Sequence, residues 1–267
     1  MTGGRGTPPA IVWIPALFVG AALLLPLIYL VVRTFDAGGD IWDLLFRQRV
    51  GTILVRTVLL VFTVTAASII LAIPLAWLTT RTDLPLRRAW AVLSALPLVI
   101  PSYVAGFVVV AALGPRGMLQ QALDGPFGID RLPDIHGFAG ALLTLTFLSF
   151  PYVVLTVRAA LLRIDPALEE SSRVLGRGNW TTFFSVTLPM LRPGIAAGGL
   201  LVALYTLSDF GAVSLLRYET FTWAIFVQYE SALDRTLGAG LSLSLVILAL
   251  AIVGLELFGR GRARYFS

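Results

Sequence analysis

The chain has 267 residues, 57% of them hydrophobic and 13% charged, and its mean hydropathy of +0.87 lies outside the range of soluble globular domains. Its net charge of +5 rests on arginine alone, with no lysine and no cysteine, which excludes disulfides, thiolate metal sites, thiol nucleophiles and a lysine-based phosphate clamp. The arginines read as membrane topology, so no nucleic-acid partner is expected.

Apolar blocks of about 20 residues, the length that crosses roughly 30 Å of hydrocarbon, run at 11–32, 53–79, 90–113, 140–161, 194–213 and 237–258. In lipid each backbone polar group must find its partner within the segment, so the blocks predict an all-α membrane protein: a six-transmembrane-helix bundle in a single domain over 1–267. The first block is too long, and too weakly preceded by positive charge, for a cleaved signal peptide and is expected to be retained.

Between spans one and two, and between spans three and four, the loops at 36–51 and 114–137 are rich in glycine, proline and aspartate. The second is long enough for a short helix over 118–123. These loops read equally well as a landing site for an external partner and as plain connections. His136, the only histidine, reads as a loop residue, and no metal site is expected.

Prolines stand inside several spans: Pro26, Pro74, Pro97, Pro101 and Pro151. Each removes a backbone hydrogen bond and is expected to bend its helix. Pro97 and Pro101 in span three form the densest case, which either lines a translocation path, hinges during gating or is a static packing kink. Asp209, toward the outer end of span five, is the one plausible intramembrane acid; it reads as a cargo or gate residue or as an interfacial charge. Gly194, Ala196, Ala197, Gly198 and Gly199 allow span five to approach another helix closely. Arg56 and Arg158 lie near span ends and can snorkel.

Arginines 81, 87 and 88 follow span two, arginines 163, 173, 177 and 192 follow span four, and arginines 260, 262 and 264 follow span six. This bias predicts that these ends, and both termini, are cytoplasmic. The opposite loops mix arginine with Asp36, Asp40, Asp43, Asp124, Asp130, Asp134, Glu219, Glu230 and Asp234.

The segment 164–192, between spans four and five, reads as two short helices about a break, an elbow projecting inward. Asp165 can cap the first helix, Pro166 suits its first turn, and Glu169 and Glu170 favour its positive end. Residues 176–179 end it. Asn179 is expected to cap a second helix over 180–186, with Trp180, Phe183 and Phe184 as an aromatic face and Pro189 as its stop. An elbow of this composition can also rest on the membrane surface.

Glu170-Ser171-Ser172, then Gly176, Val186 and Leu188-Pro189 fall at the spacing of the cytoplasmic signature of ABC importer permeases, the binding-protein-dependent family that this chain resembles from span two onward. Serines stand where that signature has alanines. The resemblance implies that the elbow docks on a separate dimeric ATP-binding subunit, with Glu170 offering a charge, Gly176 the turn and the face of Trp180, Phe183 and Phe184 an apolar surface. It implies a transport subunit and not an enzyme, with no cofactor, in the bacterial cytoplasmic (inner) membrane, receiving solute from an extracytoplasmic binding protein.

Within the family the chain is most similar to iron(III)-type permeases, through 164–170, 188–195, 208–213 and 218–222, although thiamine, sulfate and putrescine permeases share much of the pattern. Iron-type permeases are commonly fused from two six-span halves. This chain has one elbow and no internal repeat, so it is expected to be a half-length homologue that dimerises or the first half of a longer product. A proton- or sodium-coupled transporter would ordinarily show more buried carboxylates or an inverted repeat, and a membrane enzyme would show paired catalytic or metal-binding groups.

Overall fold

The computed structural model describes residues 10–35, 47–128, 130–230 and 235–262. Asp36, Asp40, Asp43, Asp234 and Arg264, together with the side chains of Arg260 and Arg262, lie outside the described residues. Among those described there is no strand, and six helices are long and apolar enough to cross a membrane: Trp13–Phe35, Gln48–Arg81, Ser102–Asp124, Phe138–Leu161, Asn179–Ser208 and Thr236–Gly259. The all-α, six-span architecture expected from the apolar blocks is the one observed.

Spans two, four and five pack on one another to form the core, with Leu60, Val64, Leu145, Val153, Val157, Leu191 and Val202 in one buried cluster. Small residues permit this. At Gly198 a Cβ would fall 2.8 Å from Val153 Cα and 2.4 Å from Thr156 Oγ1, so span five can lie this close to span four only because no side chain is there. A Ser68–Ser149 hydroxyl pair at 3.3 Å joins spans two and four inside the same core. Span one packs on span six at the edge, and its Phe18, Leu23 and Leu25 are exposed. Such an apolar surface would be a liability in water and is the ordinary outside of a helix in lipid.

Two expectations are corrected. Span three is not one bent helix over 90–113 but a helix at Arg87–Leu93, a 3₁₀ turn at Leu96–Val99 and a second helix at Ser102–Leu113. Pro101 lacks the N–H that a continuing helix needs and drives Ile100 into extended backbone at φ −85° and ψ 120°. The predicted short helix over 118–123 is present as Met118–Phe127.

The second correction concerns span five. Pro189 stops nothing: Asn179–Thr182, a π-helical turn at Phe183–Thr187 and Leu188–Ser208 run on as one helix. Pro189 occupies the first turn after the π segment, where a missing N–H is tolerated because the ladder is already interrupted. The residue before this helix is Gly178, and Asn179 is its first residue rather than its cap. At the far end the helix closes at Ser208, five residues short of the block expected to reach 213, and Asp209 leads into a separate short helix at Gly211–Leu215.

Candidate coupling elbow

The first leg of the elbow is the helix Pro166–Val174. Asp165 Oδ1 accepts the Ala167 N–H at 2.9 Å, satisfying one of the free donors of the first turn. The helix closes in a Schellman turn: Gly176 N–H donates to Arg173 O at 2.9 Å and Arg177 N–H to Ser172 O at 3.2 Å. Gly176 sits at φ +83°, a left-handed conformation that a side chain disfavours. The chain then enters the long helix of span five.

The two legs are tied by the Ser172 and Thr182 hydroxyls, 3.0 Å apart and buried. Phe183 turns inward and meets Trp77 of span two edge-on at 5.9 Å. Of the three aromatics expected to form one face, Trp180 and Phe184 remain exposed and lie 6.3 Å apart, while Phe183 anchors the elbow to the bundle. Leu188 and Pro189 are half-buried in the continuous helix, and Glu170, Ser171, Val174 and Leu175 are exposed at the bend. The projecting tip is therefore a charge, a hydroxyl and four large apolar side chains, an amphipathic surface on a rigid turn.

Beneath the tip lies a group that local reading assigned elsewhere. Glu169 is 5% exposed. Its Oε1 accepts from Thr187 Oγ1 at 2.9 Å and lies 3.7 Å from Arg81 Nε, and its Oε2 lies 3.7 Å from Arg173 Nη2. Arg81, the last residue of span two, also donates through Nη2 to Leu161 O at 3.0 Å and Ile164 O at 2.8 Å. A cleft of about 200 Å³ opens beside the pair, with Trp77, Arg173 and Asn179 on its wall. The four-residue spacing of Glu169 and Arg173 is visible in sequence; the partnership with Arg81, far away along the chain, is not.

At the opposite side of the bundle, Asp209 is 7% exposed. Its carboxylate accepts the Ala212 N–H at 3.0 Å, and the Ser102 hydroxyl and Val213 N–H also face it. Thr222 Oγ1 donates to the Asp209 carbonyl at 2.7 Å. Asp209 thus caps the short helix Gly211–Leu215 and lies beside the start of the second half of span three, just after the break at Pro97 and Pro101. Pro97 is buried in that break and Pro101 is exposed. Nearby, Arg56 and Glu219 pair at 3.0 Å, and the Tyr218 hydroxyl donates to Arg56 O at 3.2 Å. Burial pushes the Tyr218 hydroxyl up from its ordinary value, with Arg56 pulling the other way. Hydrogen bonds from His136 hold Asp134 below the usual carboxylate range. Among the described residues no group of three or more histidine, cysteine, aspartate or glutamate side chains is placed to hold a metal ion.

Residues 68–260 match the family described as "Binding-protein-dependent transport system inner membrane component". The chain is 35% identical over 256 residues, 96% of its length, to the Fe(3+)-transport system permease protein FbpB 2 of Haemophilus influenzae, and spans 47% of that relative's length. To the molybdenum transport system permease protein ModB of Escherichia coli it is 35% identical over 161 residues, covering 59% of this chain and 69% of the relative. To the sulfate transport system permease protein CysT of Escherichia coli it is 29% identical over 244 residues, covering 89% of this chain and 86% of the relative. Among solved structures, the fold resembles a chain of a bacterial ABC transporter involved in the import of the acidic polysaccharide alginate, with a TM-score of 0.75 at 19% identity over 96% of each chain.

Proposed function

Because the chain belongs to the family of binding-protein-dependent transport system inner membrane components, we propose that it is the permease subunit of an ATP-driven importer that takes its force through the elbow at 164–192. A separate ATP-binding subunit, working as a dimer, docks on the tip formed by Glu170, Val174, Leu175, Trp180 and Phe184. A second permease half, identical or fused, completes the translocation path, and an extracytoplasmic binding protein delivers the solute on the opposite side. The elbow and both termini then lie in the cytoplasm.

The observation that carries this reading is the division of the elbow into a buried face and an exposed tip. Glu169, Ser172 and Thr182 face the bundle, while the signature residues Glu170, Ser171 and Gly176 stand outward with large apolar side chains around them. A turn fixed by a Schellman motif, with exposed aromatics and one acid, suits a groove on a protein partner. Glu170→Arg is expected to abolish co-purification with the ATP-binding subunit while the chain still inserts. Gly176→Pro is expected to do the same by demanding a negative φ where the turn needs +83°.

Iron(III) is the cargo this reading favours, since the match to the iron-transport relative extends over 96% of the chain. A second reading, an oxyanion, draws support from the equal identity to the molybdenum relative over a shorter stretch and from the sulfate relative. Asp209 and the break at Pro97 and Pro101 are the candidates for the outer gate, because the Ser102 hydroxyl just after that break meets the Asp209 carboxylate at the end of span five. Vesicles holding the permease and its ATP-binding subunit, supplied with binding protein, test the reading by uptake of labelled iron(III), molybdate and sulfate. ATP-dependent uptake of one of them is expected. Uptake that follows an ion gradient without ATP would replace the importer with a secondary transporter.

A further inference from the structure

We propose that Arg81 and Glu169 form a transmission joint that binds the elbow and the adjoining ends of spans two, four and five into one rigid body, so that a push on the tip moves all three spans together. The proposal rests on the importer reading for the source of the push, whereas the joint is a property of the folded chain.

Four elements grip the same pair. Arg81 ends span two, and its Nη2 bonds the carbonyls of Leu161 and Ile164, at and just past the close of span four, where the regular helical ladder ends and Leu161 O otherwise takes only the Ile164 N–H at 3.3 Å. Glu169 belongs to the first leg of the elbow and takes the Thr187 hydroxyl from the π turn one turn into span five. Arg173, one turn along the elbow helix, balances the second carboxylate oxygen. Arg81 Nε is buried with no hydrogen-bond acceptor in reach, so its remaining attraction is directed at Glu169, 3.7 Å away.

Stability alone is a poor reason for such a pair, because buried ion pairs are on average no more stabilising than apolar packing of the same volume. A charged pair does differ from apolar packing in one respect: its geometry is directional, so sliding the elbow past span two separates opposite charges in a low-dielectric seam. Leucines at the same places would permit that sliding. The Ser172–Thr182 bond and the Trp77–Phe183 contact reinforce the same seam, and the tip, which must meet a partner, carries none of these bonds. Arg81, Glu169 and Thr187 are therefore positioning residues for power transfer.

The chain has no cysteine, so two introduced cysteines can carry spin labels without background. Labels at Leu175→Cys on the exposed tip and Leu78→Cys on span two, in the full chain in lipid nanodiscs with singly labelled controls, report the elbow-to-span distance distribution. A narrow distribution is expected for the parent chain. Glu169→Gln, which keeps the shape and the Thr187 bond but removes the charge, and Thr187→Val, which removes that bond, are each expected to broaden it. With the ATP-binding subunit present, Glu169→Gln is expected to retain association while binding-protein-stimulated ATP hydrolysis falls about tenfold, the size of an ordinary coupling between sites. Unchanged distributions in both variants would overturn the joint, as would Glu169→Gln that hydrolyses ATP with full stimulation. Failure of the parent chain to bind an ATP-binding subunit would instead refute the importer reading, and the label widths would still decide the joint.

Discussion

Glu169, in the elbow, and Asp209, just past the end of span five, are both buried acids, one on each side of the bundle, and they are held in opposite ways. Asp209 is satisfied by neutral donors, the Ala212 and Val213 N–H groups that follow it and the Ser102 hydroxyl of span three. Glu169 is satisfied by side chains from other elements, Arg81 of span two and Thr187 of span five, with Arg173 as its charged partner on the same helix. A buried acid in a membrane protein is commonly taken as a mark of cargo or ion binding. Here burial alone does not separate roles. The charge of the partners does: an acid held by neutral donors fixes a chain break, whereas an acid paired with a cation from another element ties those elements together.

The largest expected effect breaks the long-range side. Arg81→Met leaves the Glu169 carboxylate with no counter-charge except the half-exposed Arg173 and should destabilise the chain by about 3–5 kcal/mol, as removal of one partner from a buried pair does. Thermal unfolding in detergent checks it, and Arg81→Lys is expected to recover only part of the loss, since one ammonium nitrogen cannot stand both at the Nη2 position between the carbonyls and at the Nε position beside the carboxylate. A smaller effect is expected at Asp209. Replacement by alanine removes the cap of Gly211–Leu215 and should cost about 1 kcal/mol, while asparagine in the same place would cap nearly as well and leave stability almost unchanged. Asp209→Asn also sharpens the contrast in function: if uptake disappears while the melting temperature holds, the charge of Asp209 serves the cargo or gate and its capping is incidental.

What could be read in the sequence was what depends on near neighbours. The spans follow from apolar length, and the first leg of the elbow from Asp165 before Pro166 and from Gly176 at the turn, each a local preference that the packing does not oppose. Two local rules failed where a second local feature changed their meaning. Pro189 reads as a helix stop, yet the π turn before it had already interrupted the ladder, so its missing N–H ends nothing. Two prolines in span three read as a bend, but with Ile100 forced into extended backbone the helix breaks instead. The joint was out of reach for a different reason: Arg81 looks like any other arginine flanking a span, and only the packing of spans two and four brings it against Glu169. Glu170 of the signature and the buried acid Glu169 are adjacent in sequence, and only the helix register turns one outward and the other to the bundle.

The smallest expected effect tests whether the side opposite the elbow has a long-range lock of its own. Arg56 and Glu219 come from distant parts of the chain and pair at 3.0 Å, but their side chains are 44% and 37% exposed, so solvent and salt weaken the attraction that burial preserves at Arg81. The contact between these segments has other ties: the Phe221 N–H donates to Thr57 Oγ1 at 3.2 Å and the Tyr218 hydroxyl to Arg56 O at 3.2 Å, and neither needs the charge. Glu219→Gln should therefore destabilise by no more than about 1 kcal/mol, and the difference from the parent chain should shrink in high salt. Melting curves of both chains at low and high salt measure it. A loss larger than that of Asp209→Ala, persisting in salt, would mean that both sides of the bundle are clamped by charge across elements, and the elbow would no longer be distinguished by its joint.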